Sequence, residues 1–228
     1  MKLTKNIIIL ILIVLIALIG VLLFKDERYN LIIILLVTLS CLPFYFKYEH
    51  DKPKTREVII LTIMIALTVV SRIVFMITPS FKPVTVMVII CGIVFGRASG
   101  FMCGSLSALI SDFAFGIGPW TPFQMLIWGI IGYIAGVFSK QLYKDKYLLY
   151  GYSIICGIGY SLVMDLWSVL AIENSFNLTR YLAIVLTSLP VMLVYIVSNI
   201  VFMFLISKIM FQILRRVKVK YGITEGKI

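Results

Sequence analysis

Residues 84–115 read VTVMVIICGIVFGRASGFMCGSLSALISDFAF. The first half is an unbroken apolar run, interrupted only by Gly96-Arg97. The second half carries Gly96, Gly100, Gly104 and Ala108 at intervals of four, then Asp112. Residues four apart share one face of an α-helix, and small residues on such a face let neighbouring helices approach closely in a membrane. The stretch therefore predicts two helices meeting at Gly96, the second packed through small residues and carrying a carboxylate deep in apolar surroundings.

The rest of the chain extends this reading. Of 228 residues, 61% are hydrophobic, and the mean hydropathy is +1.08, whereas soluble domains lie near ~45–50% apolar. Spanning a bilayer takes ~20 mostly apolar residues. Candidate spans fall at 6–24, 30–46, 57–77, 84–96, 98–115, 121–139, 147–171 and 182–214. The fold class expected is all-α, a polytopic membrane helical bundle. The first span could also serve as a signal peptide, but its apolar core is long and no small-x-small cleavage site follows it; a retained helix is the expectation.

The net charge of +11 would raise nucleic acid as a partner in a soluble protein. Here the basic residues sit in short loops between apolar runs, where they report orientation. With the N-terminus inside and eight crossings, sixteen Lys and Arg fall inside and four fall outside: Lys25, Arg28, Lys82 and Arg180. Arg72 remains within a span. Both termini are expected in the cytoplasm. A composition break at residues 47–56 (KYEHDKPKTR) separates two Leu/Ile-rich helices (1–56) from a richer six-helix core with a basic C-terminus (57–228). Cys41, Cys91, Cys103 and Cys156 lie in apolar stretches with no CxxC spacing and no nearby histidine, so neither metal nor disulfide is expected.

Charges within a bilayer are functional candidates by default. Arg72, Asp112 and Asp165 each lie fifteen to eighteen residues beyond a cytoplasmic end, and at ~1.5 Å per residue all three reach the outer third of the membrane. That common level suggests a polar cavity open to the outside; an Arg–Asp pair that only pins helices is the competing reading. Thr121, Gln124 and Trp128 occupy consecutive turns of one helix. Trp120, Trp167, Tyr160, Lys82 and Thr85 lie towards the same side, and aromatics with a few convergent polar groups commonly line small-molecule sites. No HExxH, Walker A, nucleophile elbow or Cys/His cluster is present, so no cofactor and no catalytic set are expected. Asp112 and Asp165 as an intramembrane acid pair, or a purely structural membrane protein, are the alternatives.

The blocks Phe81-Lys82-Pro83-Val84-Thr85, Gly92-Ile93-Val94-Phe95-Gly96, Gly104-Ser105-Leu106-Ser107-Ala108 and Gly116-x-Gly118-Pro119-Trp120-Thr121-Pro122-x-Gln124-Met125 resemble the substrate-binding subunits (S components) of energy-coupling factor (ECF) transporters. The resemblance covers about residues 57–211. It implies a six-helix core that captures a vitamin or vitamin precursor from outside. It also implies partnership with a transmembrane coupling protein and two cytoplasmic ATPases, which hydrolyse the ATP. Among ligands it leans towards cobalamin or a related precursor. Arg72, Lys82, Thr85, Asp112, Trp120, Thr121, Gln124, Trp128, Tyr160, Asp165 and Trp167 are the expected substrate-binding residues. Family docking often uses Ala-x-x-x-Ala on the first core helix; here Thr62, Ala66 and Val70 stand at that spacing.

Overall fold

The computed structural model describes residues 29–50 and 53–221, and the candidate span at 6–24 lies outside them. Eight helices run through the described residues: α1 (Tyr29–His50), α2 (Thr55–Val74), α3 (Val84–Phe95), α4 (Arg97–Phe115), α5 (Thr121–Val137), α6 (Ser139–Lys144), α7 (Lys146–Glu173) and α8 (Leu178–Tyr221). Four of them, α2, α4, α7 and α8, are long and apolar enough to cross a membrane.

The bundle is built around α3. All 12 of its residues are buried, and it touches each of α2, α4, α5, α6, α7 and α8. A helix that is apolar all round belongs in an interior. At ~1.5 Å per residue α3 is ~18 Å long, too short for a ~30 Å hydrocarbon core. It ends at Gly96, whose φ of 93° lies in the left-handed region where a Cβ is costly. The chain turns there directly into α4.

Helices α3, α4 and α5 then close on one another through glycine. A Cβ on Gly92 or on Gly100 would stand 2.2 Å from Gly132 O, and one on Gly104 would stand 2.2 Å from Trp128 O. The spacing of four read in the sequence is therefore a backbone-to-backbone seam. Its register continues through Ala108 to Asp112, which carries that carboxylate inward.

Two features were not legible beforehand. The sequence placed one span over 121–139, yet the chain forms a separate short helix, α6. That segment carries Lys140 and Lys144, which suit a membrane–water boundary better than continued insertion. Helix α8 also runs to Tyr221, beyond the expected 214. Its 44 residues amount to ~66 Å, about twice the hydrocarbon thickness. The extra turns are held by Arg215 Nη1 donating to Tyr143 Oη (3.4 Å) and Lys218 Nζ donating to Val94 O (2.8 Å).

Helix α1 lies outside this core, against α4 and α5. Phe44 stacks on Phe101 at 3.9 Å, and the Tyr45 and Ser105 hydroxyls are 2.7 Å apart.

Candidate functional site

At the N-terminal end of α3, side chains from α2, α4 and α5 meet around Arg72. Arg72 sits in the last turn of α2 and is 5% exposed. Its Nη1 donates to Asp112 Oδ1 (2.8 Å) and also to Ser111 Oγ, while Nη2 donates to Gln124 Oε1 (3.0 Å). Asp112 is fully buried; its second oxygen accepts from Thr121 Oγ1 (2.7 Å). An ionised group held in a bundle without such partners would be costly. The guanidinium and carboxylate thus satisfy one another and tie three helices together. One guanidinium nitrogen is left without a partner: Arg72 Nε is buried and makes no hydrogen bond.

An aromatic wall adjoins this polar group. The Arg72 guanidinium carbon lies 4.5 Å from the Phe115 ring centre and 4.7 Å from that of Trp128. Trp128 Nε1 donates to Thr85 Oγ1 (3.3 Å). The Trp128 indole stacks on Tyr160 at 4.9 Å and 15°, and Tyr160 meets Tyr195 of α8 at 4.9 Å. Cations over aromatic faces are favourable, the more so when desolvated.

The loop between α2 and α3 brings in a second cation. Lys82 Nζ lies 4.1 Å from the Phe115 ring centre. Burial, then the nearby Arg72 charge, pushes the Lys82 ammonium below the ordinary lysine range, opposed by Asp112. The loop is anchored by Ser198 Oγ donating to Lys82 O (3.0 Å) and by contacts of Phe75 and Phe81 with Phe202. Two cations face one carboxylate here, so the group carries a positive excess.

The structure thus brings together Arg72, Lys82, Thr85, Asp112, Thr121, Gln124, Trp128 and Tyr160. Three other expected residues stand apart. Asp165 is buried, but its Oδ2 accepts from Ser188 Oγ (2.6 Å) on α8, and Arg72 pairs with Asp112. Trp167 packs at 5.1 Å on Phe123 in a cluster with Val37. Trp120 is 36% exposed and folds its indole back over Gly118, where any Cβ would strike the ring. Ser111, Phe115 and Tyr195 were missed. Ser111 and Phe115 flank Asp112 within one turn, a signal that was available. Tyr195 lies one turn before Asn199 and about two turns after Ser188 on a helix read only for its length.

Thr62, Ala66 and Val70 are exposed on α2, on a stripe that also holds Ile59, Ile63 and Leu67. Among the described residues no group of His, Cys, Asp and Glu is arranged to hold a metal ion.

The chain is an all-helical membrane bundle with a buried, ring-walled polar group between its helices and glycine seams that join them. The family model described as "ECF-type riboflavin transporter, S component" matches residues 52–216, and the chain belongs to that family. It is a substrate-binding subunit of an ECF vitamin importer, a transport subunit rather than an enzyme. No curated protein matches the chain, and no solved structure matches it.

Proposed function

We propose that the chain captures riboflavin, or a close flavin, from the outer side of the membrane, at the site formed by Arg72, Lys82, Thr85, Gln124, Trp128 and Tyr160. The observation that carries this reading is the Trp128–Tyr160 stack bordered by the spare Arg72 Nε. A flat heteroaromatic ring system fits against stacked indole and phenol, and its ring carbonyls accept from a guanidinium. The family description, which names riboflavin, supports a flavin over the cobalamin-like ligand that the sequence suggested. Asp112 and Thr121 hold Arg72 in place and belong to the binding set through it. Asp165, Trp120 and Trp167 take no direct part.

The charge distribution supports an orientation with both termini in the cytoplasm and the Arg72 end outward. Delivery then depends on a transmembrane coupling protein and two cytoplasmic ATPases, docked on the exposed α2 stripe at Thr62, Ala66 and Val70. Small residues at two of those three positions suit close helix contact.

Quenching of flavin fluorescence by the detergent-purified chain tests the ligand. Riboflavin is expected to bind, and Trp128→Ala to weaken it at least about tenfold, or ~1.4 kcal/mol. Folded protein that ignores riboflavin overturns the flavin reading. Stabilisation by cobalamin instead would transfer the site to a corrinoid.

A further inference from the structure

Helix α8 meets the site through one short stretch. Of its buried residues, Ser198, Asn199, Phe202 and Met203 lie close together, beside the α2–α3 loop and α7. Tyr195, Ser198, Asn199 and Phe202 stand three, four and seven positions along, which puts them on one face of the helix. Each has its own partner. Tyr195 meets Tyr160 at 4.9 Å. Asn199 Nδ2 donates to Ser153 O of α7 (3.0 Å), and Gly157 leaves room for it, since a Cβ there would stand 3.2 Å from that nitrogen. Phe202 packs against Phe75 and Phe81, each at 5.0 Å. Ser198 Oγ donates to Lys82 O (3.0 Å). One face of α8 therefore holds the ring wall on one side and the Lys82 loop on the other.

The Ser198 bond is unusual for a hydroxyl within a helix. Thr62 and Ser71 on α2 and Thr187 on α8 donate back into their own helices, which is the common outcome. Ser198, with no exposed surface, donates to another element instead. The acceptor depends on it. The first turn of α3 is closed by Met87 N donating to Pro83 O (3.0 Å), and among the described residues Ser198 is the donor that reaches Lys82 O. A shielded carbonyl that loses its donor is costly. The next residue, Pro83, has a fixed φ and narrows the conformations open to Lys82. A shift of the Lys82 carbonyl is therefore passed to its side chain.

We propose that Ser198 is a positioning residue of the binding site: its hydrogen bond to the Lys82 carbonyl fixes the Lys82 ammonium over Phe115 and towards the ligand. The proposal rests on the reading of this site as the flavin site. The charged groups facing that ammonium are Arg72 of α2 and Asp112 of α4; the face of α8 at the loop carries none.

Two measurements on the full chain in detergent test it. The first needs no ligand: isotope-labelled reductive methylation of the lysines, read by NMR, with the Lys82 signal assigned by its absence in Lys82→Arg. In the wild type that signal is expected to be shifted by the Phe115 ring, 4.1 Å from Nζ, and to titrate below the ordinary lysine range. In Ser198→Ala both features are expected to move towards those of the exposed lysines. An unchanged Lys82 signal overturns the proposal. The second is a double-mutant cycle on riboflavin affinity. Ser198→Ala is expected to weaken binding about three- to tenfold and to flatten its alkaline pH profile, yet to add nothing in a Lys82→Met background. Equal losses in both backgrounds make Ser198 a general packing residue and overturn the proposal. So does a displaced Lys82 signal with unchanged affinity. A wild type that binds no riboflavin defeats the flavin reading instead, and the NMR measurement then decides the placement of Lys82 alone.

Discussion

The Arg72–Asp112 pair carries two roles that a double-mutant cycle separates. The atoms are 2.8 Å apart and both side chains are essentially buried. At an effective dielectric of roughly 20, the direct attraction is about 6 kcal/mol, most of it offset by desolvation. Removing one partner strands the other charge, which costs ~3–5 kcal/mol, whereas replacing both is often near neutral. Arg72→Met and Asp112→Asn are each expected to fall in that range, read by unfolding in mixed detergent micelles with tryptophan fluorescence. The double variant is expected to recover at least ~2 kcal/mol relative to the sum of the singles. Ligand binding should behave differently: the double variant regains its fold but not its flavin, because the guanidinium beside Trp128 is gone. Additivity within ~0.5 kcal/mol would refute the pairing argument. A double variant that binds as the wild type does would reduce Arg72 to a pin between helices.

Three further outcomes follow from single features. Gly104→Ala is expected to lower stability by ~1–3 kcal/mol, since its Cβ would stand 2.2 Å from the Trp128 carbonyl oxygen; Gly159→Ala, with nothing within 4 Å, serves as the neutral control in the same melting assay. Phe44→Ala removes a ring stacked at 3.9 Å on Phe101, an aromatic pair worth ~0.5–1.5 kcal/mol; maleimide labelling of Cys41, which is 2% exposed, should then speed up several-fold. The Lys82 ammonium is depressed by burial and by Arg72, so the folded chain releases that proton below the free-lysine value of 10.5. Charged Lys82 is disfavoured in the fold, and that penalty fades as pH rises through its folded value. Flavin affinity that depends on the ammonium should accordingly fall before pH 10.5 is reached, and Lys82→Met should flatten the pH profile.

Much of this was written in the sequence because lipid constrains it so tightly. Hydropathy fixed where the long helices run, and Gly96-Arg97 marked the break between α3 and α4. Arg72 and Asp112 were conspicuous as charges among apolar residues. What the sequence left open was which of two carboxylates Arg72 meets. Asp112 and Asp165 lie at similar depth, and depth says nothing about bearing around the bundle. The enclosure of α3 was hidden for a related reason: lipid and protein interior select the same apolar residues, so composition does not distinguish a helix facing one from a helix facing the other. Tyr195 and the lysine-bearing α6 depended on tertiary neighbours that no local pattern names.

The same reasoning gives α1 a physical role. Helix α4 is the least apolar of the four long candidate spans and the most buried within the bundle. Its glycine face is closed by α3 and α5, and α2 covers another side. Left to those neighbours, Phe101 and the Ser105 hydroxyl would face the remaining side. Helix α1 fills it: Phe44 stacks on Phe101, Tyr133 closes the corner at 5.3 Å from Phe44, and Tyr45 meets the Ser105 hydroxyl. A helix rich in glycine and serine is poorly suited to lipid, and here its glycines and serines are all buried while Ile110 and Phe113 stay exposed. Because α1 lies against α4 and α5, it leaves untouched the exposed α2 stripe of Thr62, Ala66 and Val70. The added helix therefore completes the packing of α4 without competing for the face through which the chain is proposed to dock.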